Sequence, residues 1–120
     1  MIPTRPLGKT GERISILGFG TAPSGNRLNL KKAIDLYSEA LDMGVTYFDT
    51  APSFAGYGRA QNQLGYLLKH RRKEVFLVTK CWEPEGDAAL KLLQQNLREL
   101  QTDYVDLVFV HSIGSNKMDF

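Results

Sequence analysis

Three ionisable residues close three runs of strand-forming residues: Asp49 ends "VTYFD", Lys80 ends "EVFLVTK" and His111 ends "YVDLVFVH". Thr21 closes a fourth run, "ISILGFGT", just after Gly20. A carboxylate, an ammonium and an imidazole gathered in one place can hold and pass a proton. Taken singly, each has a structural role instead. Asp49 could cap a turn, Lys80 could reach along apolar surface to solvent, and His111 could be a hydrogen-bonded structural histidine. The joint pattern is more informative. Side chains alternate along a strand, so Lys80 shares a face with Val78 and Phe76, Asp49 with Tyr47 and Val45, and His111 with Phe109 and Leu107. If those faces share one centre, the three groups converge in one mouth. There the carboxylate offsets the desolvation of the ammonium, and the pair acts on any phenol or imidazole nearby. A proton donor to a substrate is then the missing part. The segment "FDTAPSFAGYGRAQNQLG" carries two aromatic residues, Phe54 and Tyr57, and of these only the tyrosine has a proton to give.

The elements that must position these residues follow from periodicity. "RPLGKTGERIS" reads as a hairpin turning at Lys9-Thr10-Gly11-Glu12. Leu30, Ala33, Ile34, Tyr37, Ala40 and Leu41 fall on one face of a helix, with Asn29 as N-cap and Gly44 as its stop. Leu64, Leu67 and Leu68 mark a second helix, closed by the basic run Lys69 to Lys73, which is expected to complement the helix C-terminus and face solvent. Leu90, Leu93, Leu97 and Leu100 mark a third, with Asp87 expected at its N-cap. Strands alternating with helices indicate βα units, and near-continuous apolar strands indicate a parallel sheet covered on both faces. In such sheets chemistry collects beyond the carboxyl ends of the strands, where these polar residues stand.

Composition narrows the classes further. A chain of 120 residues suits one domain, residues 1–120, and 42% apolar residues suits a globular one. The net charge of +2 is too small to argue for a nucleic-acid or membrane-surface partner. Cys81 is the only cysteine, so an internal disulfide is impossible and a cytoplasmic, reducing location is the expectation. Beside Lys80 it reads as a small buried filler. The N-terminal "MIPTRPLGKT" has no apolar core of the kind that directs secretion, and no metal-ligand set is assigned.

"LGKTG" with "ISILGFGT", then "GVTYFDTA", "VFLVTK" and "LQTDYVDLVFVHS" stand in an order and spacing that resemble the aldo-keto reductase family, from about Arg5 to Ser112. The resemblance implies the N-terminal half of a (β/α)₈ TIM barrel: an N-terminal β-hairpin, about four parallel strands and three helices. It also implies a nicotinamide cofactor, usually NADPH, a small-molecule aldehyde or ketone as substrate, and an Asp-Tyr-Lys-His set. Asp49, Lys80 and His111 match that set by position. The family's tyrosine normally stands five residues after the aspartate, where this chain has Phe54. Tyr57 follows in "GYGRAQ", so that an insertion of "SFA" would restore the match; the other reading is that Phe54 replaces the donor and Tyr57 is a loop aromatic.

The roles implied are Tyr57 as proton donor, Lys80 favouring release of its proton, Asp49 holding Lys80, and His111 orienting the carbonyl. Gly20, Thr21, Asp49 and His111 would face the cofactor, and Phe54 and Trp82 would wall the substrate pocket. "GSNK" is similar to a Ser-Asn pair of the family, but that pair belongs to a fifth strand and is not carried over. A full barrel takes about 250 residues. The expectation is therefore a piece of a longer reductase, a homodimer joined through half-barrel edges, or a degenerate, non-catalytic relative that binds nucleotide or a protein partner.

Overall fold

The computed structural model describes residues 1–82 and 85–112. Strands β1 (Thr4–Pro6) and β2 (Arg13–Ser15) form an antiparallel hairpin. Strands β3 (Gly18–Gly20), β4 (Tyr47–Asp49), β5 (Phe76–Cys81) and β6 (Leu107–Val110) form one parallel sheet in that order. Helices α2 (Leu30–Asp42), α3 (Ala60–Arg71) and α4 (Gly86–Leu100) are the three expected crossovers, and with the hairpin they make a partial (β/α)₈ barrel. No described helix is long and apolar enough to cross a membrane.

The sheet separates two apolar layers. Phe48 and Leu77 point outward and are fully buried against Tyr37 and Leu41 of α2, Leu64 and Leu68 of α3, and Leu100 of α4. Residues of the opposite parity point inward, where Phe76 and Val78 pack with Ile14 of the hairpin and with Leu7, Tyr47 and Leu107. Register makes this possible: Gly20, Asp49, Val78 and Leu107 are successive cross-strand partners, as are Lys80 and Phe109. The hairpin is pinned across the sheet's lower end by a reciprocal pair, Ser15 N–H donating to Thr46 Oγ1 (3.0 Å) and Thr46 N–H donating to Ser15 Oγ (2.9 Å). Strand β5 is buried along its whole length.

Helix α2 starts where expected, because the Asn29 side chain accepts the Lys32 N–H at 2.9 Å. It ends through Gly44 at φ +100°, a conformation that glycine adopts without a Cβ clash. Three readings of the sequence are corrected. A fourth helix, α1 (Ala22–Arg27), lies between β3 and α2; its residues "APSGNR" are poor helix formers with no apolar period. Asp87 lies inside the first turn of α4, and the N-cap position belongs to Glu85. The basic run is not a solvated face throughout. Arg72 is 11% exposed and binds Asp106 at 2.9 Å, while Arg71 pairs with Asp42 and Glu74. The "GSNK" segment lies outside the described residues.

Candidate active site

At the carboxyl end of the sheet, Lys80 crosses from β5 to the end of β4. Its ammonium donates to Asp49 Oδ1 (2.5 Å), to the Thr50 carbonyl (2.9 Å) and to the Tyr57 phenol oxygen (3.1 Å). The phenol in turn donates to Asp49 Oδ1 at 3.1 Å, closing a three-membered ring of contacts. Lys80 is buried, with its charge matched by a carboxylate, a carbonyl and a phenol, which is what a buried ammonium requires. Tyr47, one strand position before Phe48, has its phenol pKa raised by burial and, to a lesser degree, by the Asp49 charge.

His111 stands where β6 leaves the sheet, its backbone N–H donating to the Cys81 carbonyl at 2.8 Å. Its ring lies 6.4 Å from the Tyr57 ring and 5.1 Å from the Trp82 ring, both edge-on. Nδ1 of His111 is buried and has no hydrogen-bond partner among the described residues. Phe54 meets Trp82 at 6.2 Å. Phe54, Trp82, His111 and Tyr57 thus form an aromatic line across the mouth, with Phe54 62% and Trp82 42% exposed.

The loop explains why Tyr57 enters and Phe54 does not. Ser53–Ala55 forms a single 3-10 turn that carries Phe54 outward, and Gly56 (φ +88°) and Gly58 (φ +56°) then reverse the chain around Tyr57. The loop rests on α1. A Cβ on Gly25 would stand 2.1 Å from the Tyr57 carbonyl, and one on Gly58 would stand 2.7 Å from the Gly25 carbonyl. Arg59 N–H donates to the Gly25 carbonyl (3.1 Å), and the Asn26 amide donates to the Gly56 carbonyl (2.7 Å).

Of the residues expected to face a cofactor, Gly20 ends β3 in open space, where a Cβ would meet no atom within 4 Å. Thr21 does not reach the mouth: it is fully buried, and its hydroxyl donates to the Asp49 carbonyl at 3.0 Å. It supports the backbone beneath Asp49.

Sequence reasoning missed the contribution of Gly25, Asn26 and Gly58, and it missed a buried polar group behind the sheet made of Gln61, Thr79 and Asn96. A signal was present for the amides. Gln61 lies in register with Leu64 and Leu68, and Asn96 with Leu93 and Leu100, so each interrupts an apolar helix stripe with a polar residue.

Comparison with known proteins accords with this fold. The profile of the aldo/keto reductase family matches residues 16–118. L-galactose dehydrogenase of Arabidopsis thaliana is 31% identical over 98% of this chain, which spans 40% of that protein. A thermostable aldo-keto reductase solved with the inhibitor epalrestat superimposes with a TM-score of 0.84 at 33% identity, covering 96% of this chain and 44% of the other. An aldo/keto reductase from Klebsiella pneumoniae, solved with NADP and acetate, superimposes with a TM-score of 0.75 at 29% identity, covering 86% and 37%. The chain therefore spans less than half the length of each of these relatives. With the family profile running from just after β2 to beyond β6 and the parallel half-barrel superimposing on solved reductases, this chain belongs to the aldo/keto reductase family.

Proposed function

We propose that this chain carries the proton-transfer half of a carbonyl-reducing active site, reducing an aldehyde or ketone to an alcohol with NADPH within a completed barrel. The observation that carries the reading is the Tyr57 phenol held between Lys80 Nζ and Asp49 Oδ1, each at 3.1 Å. Two features suit a substrate carbonyl and the nicotinamide end of the cofactor. One is the His111 ring, edge-on to Tyr57 and Trp82 at the mouth, and the other is the uncovered strand end at Gly20. Asp49 and His111 are the residues that would border the ring, together with the Gly20 strand end; Thr21, with its hydroxyl already committed, would act from behind Asp49. When bound, NADPH supplies the hydride that the carbonyl carbon receives.

The chain's own residues account for the proton. Tyr57 gives its phenol proton to the carbonyl oxygen, and the Lys80 ammonium stabilises the phenolate that remains. Asp49 holds Lys80 against the phenol and balances its buried charge. His111 directs the carbonyl oxygen toward Tyr57 by a ring hydrogen bond. Phe54 and Trp82 form an apolar wall beside the mouth, suited to the body of a small organic carbonyl compound.

Among the described residues β3 and β6 are the edge strands of the sheet and Phe109 and Val110 are exposed, and a closed barrel needs further strands beside them. We infer that these come from the remainder of a longer polypeptide or from a second copy of this chain, and light scattering on the purified protein separates the two. For the activity, the completed protein is titrated with NADPH and then given an aldehyde. Nucleotide binding followed by steady oxidation of NADPH supports the reading. Nucleotide binding with no turnover over a panel of aldehydes and ketones assigns the chain to a binding role instead.

A further inference from the structure

Behind the sheet, on the side away from Tyr57, the buried side chains Gln61, Thr79 and Asn96 join α3, β5 and α4. Thr79 Oγ1 donates to Gln61 Oε1 at 2.6 Å. Gln61 Nε2 donates to Glu99 Oε2 (2.7 Å) and Asn96 Oδ1 (3.1 Å). Asn96 Nδ2 donates to the Lys80 carbonyl at 2.9 Å.

Stability does not account for this arrangement. A satisfied hydrogen bond contributes little net, and apolar residues of matching shape would serve nearly as well. An unpaired buried amide is costly, so the network is safe only while complete. What it does uniquely is geometric. Gln61 stands four residues after Tyr57 at the start of α3, and Thr79 immediately precedes Lys80. The Gln61–Thr79 bond on the outer face therefore spans the same two segments as the Tyr57–Lys80 contact on the inner face. Asn96 holds the carbonyl of Lys80 itself.

We propose that Gln61 and Asn96 are positioning residues that set the separation of the Tyr57 phenol from the Lys80 ammonium. The inference rests on the proposed role of those two groups, but its test does not depend on turnover. The contact matters at this precision because misplacement of a reacting group by about 1 Å can cost about 10² in rate.

The experiment uses the completed protein with tyrosine labelled at Cζ and lysine at Nζ, read by NMR at one neutral pH. Tyr57→Phe and Lys80→Met assign the two resonances, and Lys80→Met gives the full displacement of the Tyr57 signal when the contact is lost. Asn96→Asp keeps the shape and the acceptor for Gln61 but removes the donor to the Lys80 carbonyl. Thr79→Val keeps the shape but removes the hydroxyl, and Thr79→Ser restores it. Asn96→Asp and Thr79→Val are expected to shift the Tyr57 and Lys80 signals in the direction that Lys80→Met shifts Tyr57, with Thr79→Ser returning them toward wild type. Folded Asn96→Asp and Thr79→Val chains with both signals unmoved would overturn the inference and leave the Tyr57–Lys80 reading intact. A Tyr57 signal indifferent even to Lys80→Met would overturn both.

Discussion

The two ends of the sheet each carry a largely buried ion pair, and the pairs differ in what else they touch. At the amino end, every nitrogen of the Arg72 guanidinium donates to the chain: to the Thr102 hydroxyl, the Tyr104 and Val75 carbonyls, and Asp106. The guanidinium also lies 3.7 Å over the Tyr104 ring, and Asp106 accepts the Leu77 N–H at 2.7 Å. The oxygen partners are a hydroxyl, two backbone carbonyls and a carboxylate, and through Asp106 the pair ties β6 to β5. At the carboxyl end, one of the three partners of Lys80 is a phenol, and an imidazole and an open mouth lie beyond it. A buried ion pair by itself therefore says little about function; the third partner separates the clamp from the proposed site.

The comparison is broken most severely at the clamp. Arg72→Ala leaves Asp106 and several carbonyls without their donor and is expected to lower stability by about 3 kcal/mol, the scale for breaking a buried pair, read by denaturant unfolding. Next comes Gly25→Ala, which drives a methyl group into the Tyr57 carbonyl. It should cost about 1–3 kcal/mol through overpacking and also withdraw Tyr57 from Lys80, so that stability and the Tyr57 Cζ signal change together. In Arg72→Ala that signal should stay in place wherever the chain remains folded. Tyr57→Phe removes one part-buried hydroxyl and should change stability by about 1 kcal/mol or less, the opposite balance to Arg72→Ala.

The smallest effect concerns the exposed end of α3. Arg71 holds the Glu74 carboxyl below its ordinary value, chiefly through a hydrogen bond. A carboxyl depressed in the folded state adds stability above its unfolded pKa and loses it as pH falls through the folded one. Acid titration of unfolding should therefore show a slight loss below the ordinary glutamate range that Glu74→Gln removes.

The same contrast shows what the sequence could disclose. Asp49, Lys80 and His111 were legible because strand parity is set by the period of two, and each ends an apolar run. The choice between Phe54 and Tyr57 was not, because it turns on one 3-10 turn and two left-handed glycines, which no hydrophobic pattern records. Helix α1 escaped for a related reason: "APSGNR" is held by contacts with the Tyr57 loop rather than by its own propensity. Arg72 was hidden within a basic run, where charge alone reads as solvated surface. Gln61 and Asn96 were passed over, although each interrupts an apolar stripe, because a polar residue on a helix is ordinarily assigned to the outer face.

The central claim is that Tyr57, and not a residue at position 54, gives the proton. Its most direct test is the rate of NADPH-dependent aldehyde reduction by the completed protein, compared between wild type and Tyr57→Phe with Phe54→Tyr alongside. The expected result is a fall of about 10² to 10⁴ for Tyr57→Phe with nucleotide affinity nearly unchanged, and little change for Phe54→Tyr. Equal rates for wild type and Tyr57→Phe, with Phe54→Tyr faster than either, would contradict it.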